Sequence, residues 1–131
     1  PVAFVYGTRN DNPLIFNTFD KAVAANPGAT PLLHSDRGYQ YTSKAFRQRI
    51  LAAGMTQSMS RVARCIDNGP MEGFWGLMKR EMYYGKKYKT ERELILAIEK
   101  YIDYYTNKRV QRNLGVLTPM EFHEQKLENV T

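Results

Sequence analysis

The sequence predicts an α/β fold, because short stretches with strand-like composition alternate with stretches of helical spacing. Strand character is seen in "VAFVYGT" at residues 2–8, in "PLLHSD" at 31–36 and in "MTQSMS" at 55–60. Between and after them, apolar residues recur every three or four positions, as on the buried face of a helix. No repeat or low-complexity linker interrupts this order, so one domain is expected from 131 residues.

The first two helices have recognisable start and stop signals. "NDNP" predicts a helix with Asn12 as its N-cap and Pro13 at its first position, and "NPG" at residues 26–28 ends it. Residues 43–53 have helical spacing through Phe46 and Ile50, and Gly54 ends that helix. The predicted buried face of the first helix consists of Ile15, Phe19, Ala22 and Val23.

The third helix follows "RVARCIDNG" and begins in "PMEGFWGLMKREMYYG", where Pro70 and the preceding Asn68 or Gly69 supply the start signal. One face is apolar and predicts core positions, namely Met71, Phe74, Trp75, Met78 and Met82. A second face, about 100° around the helix, is not apolar and carries Glu72, Gly76, Lys79 and Tyr83. A glutamate in the first turn also interacts favourably with the positive end of the helix dipole. One interpretation of Glu72 is therefore that it only stabilises the start of the helix.

The C-terminal third is predicted to be scaffold with a basic edge. Thr90 and Glu93 form a capping box for a long helix, and Thr118 and Glu121 form another for a short terminal helix. The buried positions predicted for the long helix are Leu94, Ile95, Ile98, Ile102 and Tyr105. Between the two helices, "NKRVQR" offers Lys108, Arg109 and Arg112 to phosphate groups.

The net charge of +6 is unevenly distributed, at −1 over residues 1–36, +9 over 37–112 and −2 over 113–131. A basic middle suits a polyanion such as nucleic acid, and the alternative interpretation is that the same residues only solvate helix surfaces. No apolar run approaches the roughly 20 residues that span a bilayer, and the N-terminus lacks the layout of a signal peptide. With a single cysteine, Cys65, a reducing cytoplasmic location is the default expectation.

Asp36 ends the second predicted strand, 35 residues separate it from Glu72, and Lys79 lies seven positions beyond Glu72. With these residues the sequence resembles the D,D-35-E transposases and retroviral integrases, in particular the OrfB-type (second-open-reading-frame) transposases of the insertion-sequence-three group. The similar segments cover about residues 30 to 125 in order: "LLHSDRGYQYTS", "GMTQSMSR", "CIDNGPMEGFWGLMKRE", "YIDYYTNKR" and "LTPMEF".

The resemblance implies a ribonuclease-H-like integrase core, with a mixed sheet flanked by helices. In this family three carboxylates hold two divalent ions, Mg²⁺ or Mn²⁺, for DNA cleavage and strand transfer in transposition. Asp36 would be the second of these carboxylates and Glu72 the third. Lys79 would contact phosphate near the scissile bond, or else form an ion pair with Glu72. The DNA partners would be the element ends and the target.

Other residues have two interpretations each. Arg37 and the loop residues Arg61 and Arg64 are predicted to contact DNA, because a loop beside the site can close on substrate. His34 either reaches the metal or DNA or is held by hydrogen bonds under the turn. The remaining candidates have structural interpretations: Asp67 as a turn or helix-entry residue, Trp75 as core, and Cys65 as too isolated for nucleophilic catalysis.

The sequence departs from the family pattern at its beginning. The family's first aspartate lies in the first strand, well over fifty residues before the second, and Asp11 and Asp20 are poor substitutes for it. We therefore expect the C-terminal part of a core over residues 1–125, with a tail at 126–131, inactive alone. The alternatives are a non-catalytic DNA-binding or self-associating remnant and, less favoured, a ribonuclease-H-like nuclease.

The strand predicted at residues 2–8 would be the third of a sheet with the order 3-2-1-4-5, and it would have no neighbour within this chain. Because an unpaired strand edge invites another chain, we expect this strand to pair with residues 31–36 or with a second molecule in a homo-oligomer. A protein with these properties acts in the bacterial cytoplasm, on the nucleoid when bound to DNA, and not at a membrane.

Overall fold

The computed structural model describes residues 2–64, 67 and 69–130. Contacts divide the chain into two compact units, Val2–Trp75 (the first unit) and Gly76–Thr131 (the second unit). The grouping of residues 1–125 into one core stays a prediction. Within the described residues, no helix combines the length and the apolar character that a membrane crossing requires.

The first unit is built around two short parallel strands. Its elements are α1 (Asn12–Ala25), β1 (Leu32–Ser35), α2 (Tyr39–Thr42), α3 (Lys44–Ala52), β2 (Thr56–Met59) and the start of α4 (Gly69–Met78). Leu32 lies opposite Thr56 and Ser35 opposite Met59. In the described part of the chain no third strand joins this sheet, so the mixed sheet that was expected is instead a parallel pair. The four-residue helix α2 was not predicted.

The prediction of a strand at residues 2–8 is wrong. This segment has no regular secondary structure, and the described backbone offers it no partner strand. It is attached through a side chain instead: the Lys21 ammonium donates to the Phe4 carbonyl at 3.0 Å and lies 4.9 Å from the centre of the Phe4 ring. A strand-like composition indicates that the side chains of a segment fit the surface of a sheet. Such a segment forms a strand only where a neighbouring strand is available to pair with it.

Aromatic packing holds the first unit together. Phe46 and Ile50 of α3 are each 1% exposed and form the core with Phe19 of α1. The rings of Phe16 and Tyr41 pack on Phe46, with centroids 5.9 and 5.5 Å away. These contacts confirm the predicted core positions Phe19, Phe46 and Ile50, with Ile15 packed against them, whereas Ala22 is half-buried and Val23 is exposed.

The N-cap of α1 is Asp11 and not Asn12. Its carboxylate accepts a hydrogen bond from the Leu14 amide at 3.2 Å, and Asn12 becomes the first helical residue. Either side chain could cap this sequence, and the extended backbone at Asp11 decides between them.

The second unit continues α4 into a π-helical turn (Lys79–Tyr83), followed by α5 (Glu91–Asn107), a 3₁₀ turn (Arg112–Leu114) and α6 (Pro119–Glu128). Its buried residues include Met78, Met82, Tyr101 and Ile102. Tyr101 was not among the predicted core positions. α6 runs past residue 125, where the sequence predicted a tail to begin.

The two predicted capping boxes differ. Thr118 Oγ1 accepts from the Glu121 amide at 3.2 Å, and Glu121 accepts from the Thr118 amide at 3.0 Å, which confirms the box at α6. At α5, Thr90 accepts from the Glu93 amide at 3.1 Å, but the Glu93 carboxylate accepts from the Lys89 amide. Only half of that second box forms.

Candidate active site

Asp36 directly follows β1, and its side chain is exposed. One carboxylate oxygen, Oδ1, accepts a hydrogen bond from the Gly38 amide at 2.7 Å. The other oxygen makes no hydrogen bond with a described residue. A Cβ at position 38 would lie 2.9 Å from Oδ1, so a larger residue there would displace the carboxylate. The turn thus fixes the carboxylate at the strand end while leaving one oxygen available.

The ends of β1 and β2 are tied together beside this carboxylate. The Ser60 amide donates to the Ser35 carbonyl at 2.9 Å, which continues the ladder one step beyond the strands. Arg37 Nε donates to the Ser60 carbonyl at 2.8 Å. Arg37 therefore has a structural contact, and its two terminal nitrogens make no hydrogen bond with the described residues. Its predicted contact with DNA stays a prediction.

Serine hydroxyls engage both ring nitrogens of His34. Nδ1 lies 3.1 Å from Ser58 Oγ, and Nε2 lies 3.3 Å from Ser60 Oγ. The register explains the first contact, since His34 pairs with Ser58 across the sheet. These contacts support the interpretation of His34 as a hydrogen-bonded histidine, because neither nitrogen is left free to bind a metal.

Glu72 lies in the first turn of α4, is exposed, and makes no hydrogen bond or ion pair with a described residue of the first unit. It lines a pocket of about 470 Å³ together with Asp36. The other residues that line this pocket come from α1, the β1 end, α2, α3 and α4: Ile15, Thr18, Phe19, Ala22, Leu33, His34, Ser35, Tyr41, Phe46, Met71 and Trp75. The structure thus places Asp36 and Glu72, distant in sequence, around one open space.

Three residues of this pocket were not predicted to lie there. Burial and, to a smaller extent, the negative charge of Asp36 raise the pKa of the Tyr41 hydroxyl. Met71 and Trp75 were expected in the core, yet they are 53% and 43% exposed. That expectation is wrong because this side of α4 faces the pocket. A helical apolar stripe does not distinguish a core from the wall of an open pocket.

The carboxylates suit a hard cation, but they form only a pair. Within the described residues no group of three or more His, Cys, Asp or Glu side chains could hold a metal ion. Asp11 is occupied as a helix cap, and Asp20 forms an ion pair with Arg49 at 2.6 Å. Two free carboxylates with oxygen donors fit Mg²⁺ or Mn²⁺, which bind through one or two carboxylates plus waters and substrate oxygens.

The loop before α4 is closed by an ion pair. The backbone amide and guanidinium of Arg61 all donate to the Asp67 carboxylate, at 2.8 to 3.0 Å. These hydrogen bonds hold the pKa of Asp67 well below its usual range and raise the pKa of Arg61. Asp67 is therefore a turn residue, as predicted. The exposed Arg64 makes no side-chain hydrogen bond or ion pair with a described residue, and Cys65 and Asn68 lie outside the described residues.

The remaining predicted DNA contacts belong to the second unit. Lys79 begins the π-helical turn and is exposed, as is Arg112 at the 3₁₀ turn. Lys108 lies 3.5 Å from Asp103 in an exposed ion pair.

Arg109 forms a two-pronged contact with Glu81, with Nε–Oε1 at 2.9 Å and Nη2–Oε2 at 3.0 Å. The Tyr101 hydroxyl also donates to Glu81, at 3.0 Å. Arg109 thus has a structural partner, and no feature of the sequence pattern identified Glu81 as that partner.

Comparison with known proteins shows the family of the chain. Two family models, each described as an integrase core domain, match residues 1–65 and 72–127. An uncharacterized transposase-like protein of Haemophilus influenzae is 42% identical over 82% of this chain and 50% of its own length. The putative transposase InsK for insertion sequence element IS150 of Escherichia coli is 37% identical over 86% of this chain and 40% of its own.

A third relative, the probable transposase for insertion sequence element IS1353 of Shigella flexneri, is 36% identical over 92% of this chain and 24% of its own. The chain thus spans half or less of the length of these curated relatives. No solved structure matches the chain significantly.

The two models match residues 1–65 and 72–127, and the three relatives are 36–42% identical over 82–92% of this chain, so the chain belongs to the integrase core domain family. Within that class, the chain belongs to the insertion-sequence transposases of the OrfB type, in the insertion-sequence-three group.

Proposed function

We propose that this chain supplies the second and third metal-binding carboxylates of a transposase that cleaves DNA at the ends of an insertion sequence and joins them to a target. The observation that carries this proposal is that Asp36 and Glu72 line the same pocket without a neutralising partner in the first unit. The fold proposed for the complete core is ribonuclease-H-like, as in the integrase family.

Asp36 and Glu72 are the residues that would hold the divalent ion, Mg²⁺ or Mn²⁺, of a two-metal site. When bound, such ions activate the attacking oxygen and stabilise the leaving oxygen of a phosphoryl displacement. The chain's own contribution is positional. The Gly38 amide orients the Asp36 carboxylate through one oxygen and leaves the other free, while the two serines keep His34 from competing as a ligand.

The described residues contribute two carboxylates to the pocket, whereas the family's chemistry uses three. A missing ligand loosens the geometry on which in-line attack depends. We therefore propose that the 131-residue chain alone lacks robust cleavage or strand-transfer activity.

DNA is the proposed partner, in the bacterial cytoplasm and on the nucleoid when bound. Phosphate contacts would position the DNA without reading its sequence. Affinity should fall steeply with salt because each neutralised phosphate releases counterions. The proposed contacts are Arg37, Arg61, Arg64, Lys79, Lys108, Arg109 and Arg112.

A homo-oligomer is also proposed. Because residues 2–8 form no strand, they do not supply the edge that would pair with a second molecule. The outer edge of β1 remains for this role, since β1 pairs only with β2 in the described chain.

The test measures Mn²⁺ binding by the 131-residue chain, using the loss of the free-ion electron paramagnetic resonance signal. We expect weak binding that Asp36→Asn removes. Asp20→Asn is the matched control, because Asp20 pairs with Arg49 away from the pocket lining and should leave Mn²⁺ affinity unchanged. Equal loss in both variants, or no binding by the unchanged chain, would remove the metal assignment.

A nicking assay on DNA carrying insertion-sequence ends tests the second part. No nicking is expected from the chain alone, and metal-dependent nicking that Glu72→Gln abolishes would contradict the proposed inactivity. The other candidate function, a non-catalytic DNA-binding chain, is favoured by the absence of a third ligand among the described residues. Salt-dependent DNA binding without any Mn²⁺ binding at Asp36 would select it.

A further inference from the structure

The second unit presents a continuous surface of tyrosines and lysines. One part is the segment "YYGKKYK" at residues 83–89, which has three tyrosines, three lysines and no acidic residue. The other part is a pocket of about 710 Å³ that shares Lys86 with the segment. We call this the tyrosine–lysine surface, and its pocket is lined by Glu81, Met82, Lys86, Lys100, Tyr101, Tyr104, Lys108, Arg109 and Val110.

The segment is held in a shape that keeps aromatic faces in solvent. Gly85 has a φ of +77°, which allows the sharp turn after Tyr84. Tyr88 stacks on Tyr83 with an interplanar angle of 14°, and the Tyr88 hydroxyl donates to the Met82 carbonyl. With its neighbours fixed in this way, Tyr84 remains 61% exposed and Tyr83 50% exposed. Exposed aromatic rings on an anchored turn are suited to stacking.

The α5 side of the surface alternates charge and ring. Lys100 and Tyr104 lie four residues apart on one face of α5, and Lys108 is the C-cap of that helix; all three line the pocket. Tyr104 is 44% exposed, and Lys100 makes no ion pair with a described residue. This face therefore offers a free ammonium beside an available ring.

The single carboxylate in the pocket does not cancel this charge. Glu81 accepts both prongs of Arg109 and the Tyr101 hydroxyl, and these hydrogen bonds keep it ionised but neutralised, with its pKa lowered. Three lysines remain around the pocket, and among the described residues Lys108 is the one of them that forms an ion pair, with the exposed Asp103. The electrostatic character of the surface is positive.

We propose that the tyrosine–lysine surface binds single-stranded DNA, with phosphates on Lys86 and Lys100 and unpaired bases stacked on Tyr84 and Tyr104. The inference rests on the proposed function for the identity of the polymer. A duplex hides its base faces in its own stack and uses only the ammonium groups, whereas a single strand uses both kinds of group. The surface thus discriminates DNA by strandedness and not by sequence.

The test is fluorescence anisotropy with the 131-residue chain in EDTA, comparing an oligothymidine of about 12 nucleotides with a duplex of equal length. Tyr84→Ala should weaken single-strand binding roughly 5- to 100-fold and leave duplex binding unchanged, because one stacking contact is lost. Tyr84→Phe, which keeps the ring, should retain the affinity. Tyr6→Ala is the matched control, since Tyr6 is 51% exposed in the first unit.

Lysine variants test the other half of the surface. Lys100→Ala should lower the slope of log affinity against log salt for the single strand by about 0.7, and Lys126→Ala on α6 should leave it unchanged. The proposal is overturned if Tyr84→Ala leaves single-strand affinity intact, or if it weakens duplex and single strand equally. Because EDTA removes divalent ions, these outcomes do not depend on whether Asp36 and Glu72 bind a metal, so the two proposals fail separately.

Discussion

The carboxylates that line the pockets of the two units have opposite surroundings. In the first unit, Asp36 and Glu72 line an open pocket, and neither forms an ion pair there. In the second unit, Glu81 also lines a pocket, but Arg109 and Tyr101 saturate its oxygens. A carboxylate without a partner can accept a cation, whereas a carboxylate with a guanidinium and a hydroxyl already has its counter-charge.

This difference explains why the two pockets suit different ligands. The first offers negative charge and oxygen donors, which bind hard cations. The second offers ammonium groups and rings around a neutralised acid, which bind nucleic acid. Similar residue types in a sequence therefore do not predict similar sites, and the partner of each charge decides its role.

The largest difference between the two pockets is expected when one glutamate of each unit is replaced by glutamine. Glu72→Gln should weaken Mn²⁺ binding by about 30-fold, because a charged oxygen ligand is removed, and it should change the unfolding temperature little. Glu81→Gln should leave Mn²⁺ affinity unchanged and lower the free energy of unfolding by about 2 kcal/mol, because charge-assisted hydrogen bonds are lost. Calorimetric titration and thermal melts of both variants supply the measurements.

The next prediction concerns the turn that positions Asp36. Gly38→Ala brings a Cβ to 2.9 Å from Asp36 Oδ1, so the carboxylate must move. Mn²⁺ affinity should fall by about tenfold, since ligand position and not ligand identity has changed.

Gly73→Ala on α4 is the matched control for this substitution, because a Cβ there meets nothing within 4 Å. It should leave Mn²⁺ affinity unchanged and add about 0.5–1 kcal/mol of helix stability. If both alanine variants bind Mn²⁺ as the unchanged chain does, the close contact at Gly38 has no functional role.

Local signals in the sequence predicted a large part of the fold. The capping box of Thr118 and Glu121, the core positions Phe46 and Ile50, and the placement of two strands within residues 31–36 and 55–60 all follow from spacing and side-chain chemistry. The carboxylates Asp36 and Glu72 were found through the family resemblance. Asp36 directly follows β1, the strand that pairs in parallel with β2, and this position places it in the pocket lining.

What could not be predicted depends on partners distant in sequence. Residues 2–8 have the composition of a strand but no neighbouring strand in the described chain, and Trp75 has the spacing of a core residue but lines a pocket. The Glu81–Arg109 pair joins residues 28 positions apart. No periodicity reports such a contact, because periodicity describes one element at a time.

The third prediction uses pH to isolate the Glu81 contacts. The hydrogen bonds from Arg109, with a smaller contribution from Tyr101, lower the pKa of Glu81 in the folded chain. A lowered folded pKa contributes stability that is present above the unfolded pKa and is lost as the pH falls through the folded pKa. We therefore expect stability to be lost through this residue as the pH falls through and below the ordinary glutamate range.

The measurement is urea unfolding of the unchanged chain and of Glu81→Gln across that range. Because the glutamine does not titrate, the difference in unfolding free energy between the two should shrink as the pH falls. If this difference in unfolding free energy does not change with pH, the negative charge of Glu81 does not contribute to stability. Tyr101, whose pKa is raised to about 12 by burial and by Glu81, stays protonated throughout.

The smallest expected effects compare the helix caps of the two units. Thr118 is 3% exposed and exchanges two hydrogen bonds with Glu121, while Asp11 makes one cap hydrogen bond, to the Leu14 amide. Thr118→Ala should therefore cost about 1 kcal/mol of unfolding free energy and Asp11→Ala about 0.5 kcal/mol. Urea unfolding at neutral pH measures both. If Asp11→Ala costs more than Thr118→Ala, the reciprocal box adds no stability over a single cap.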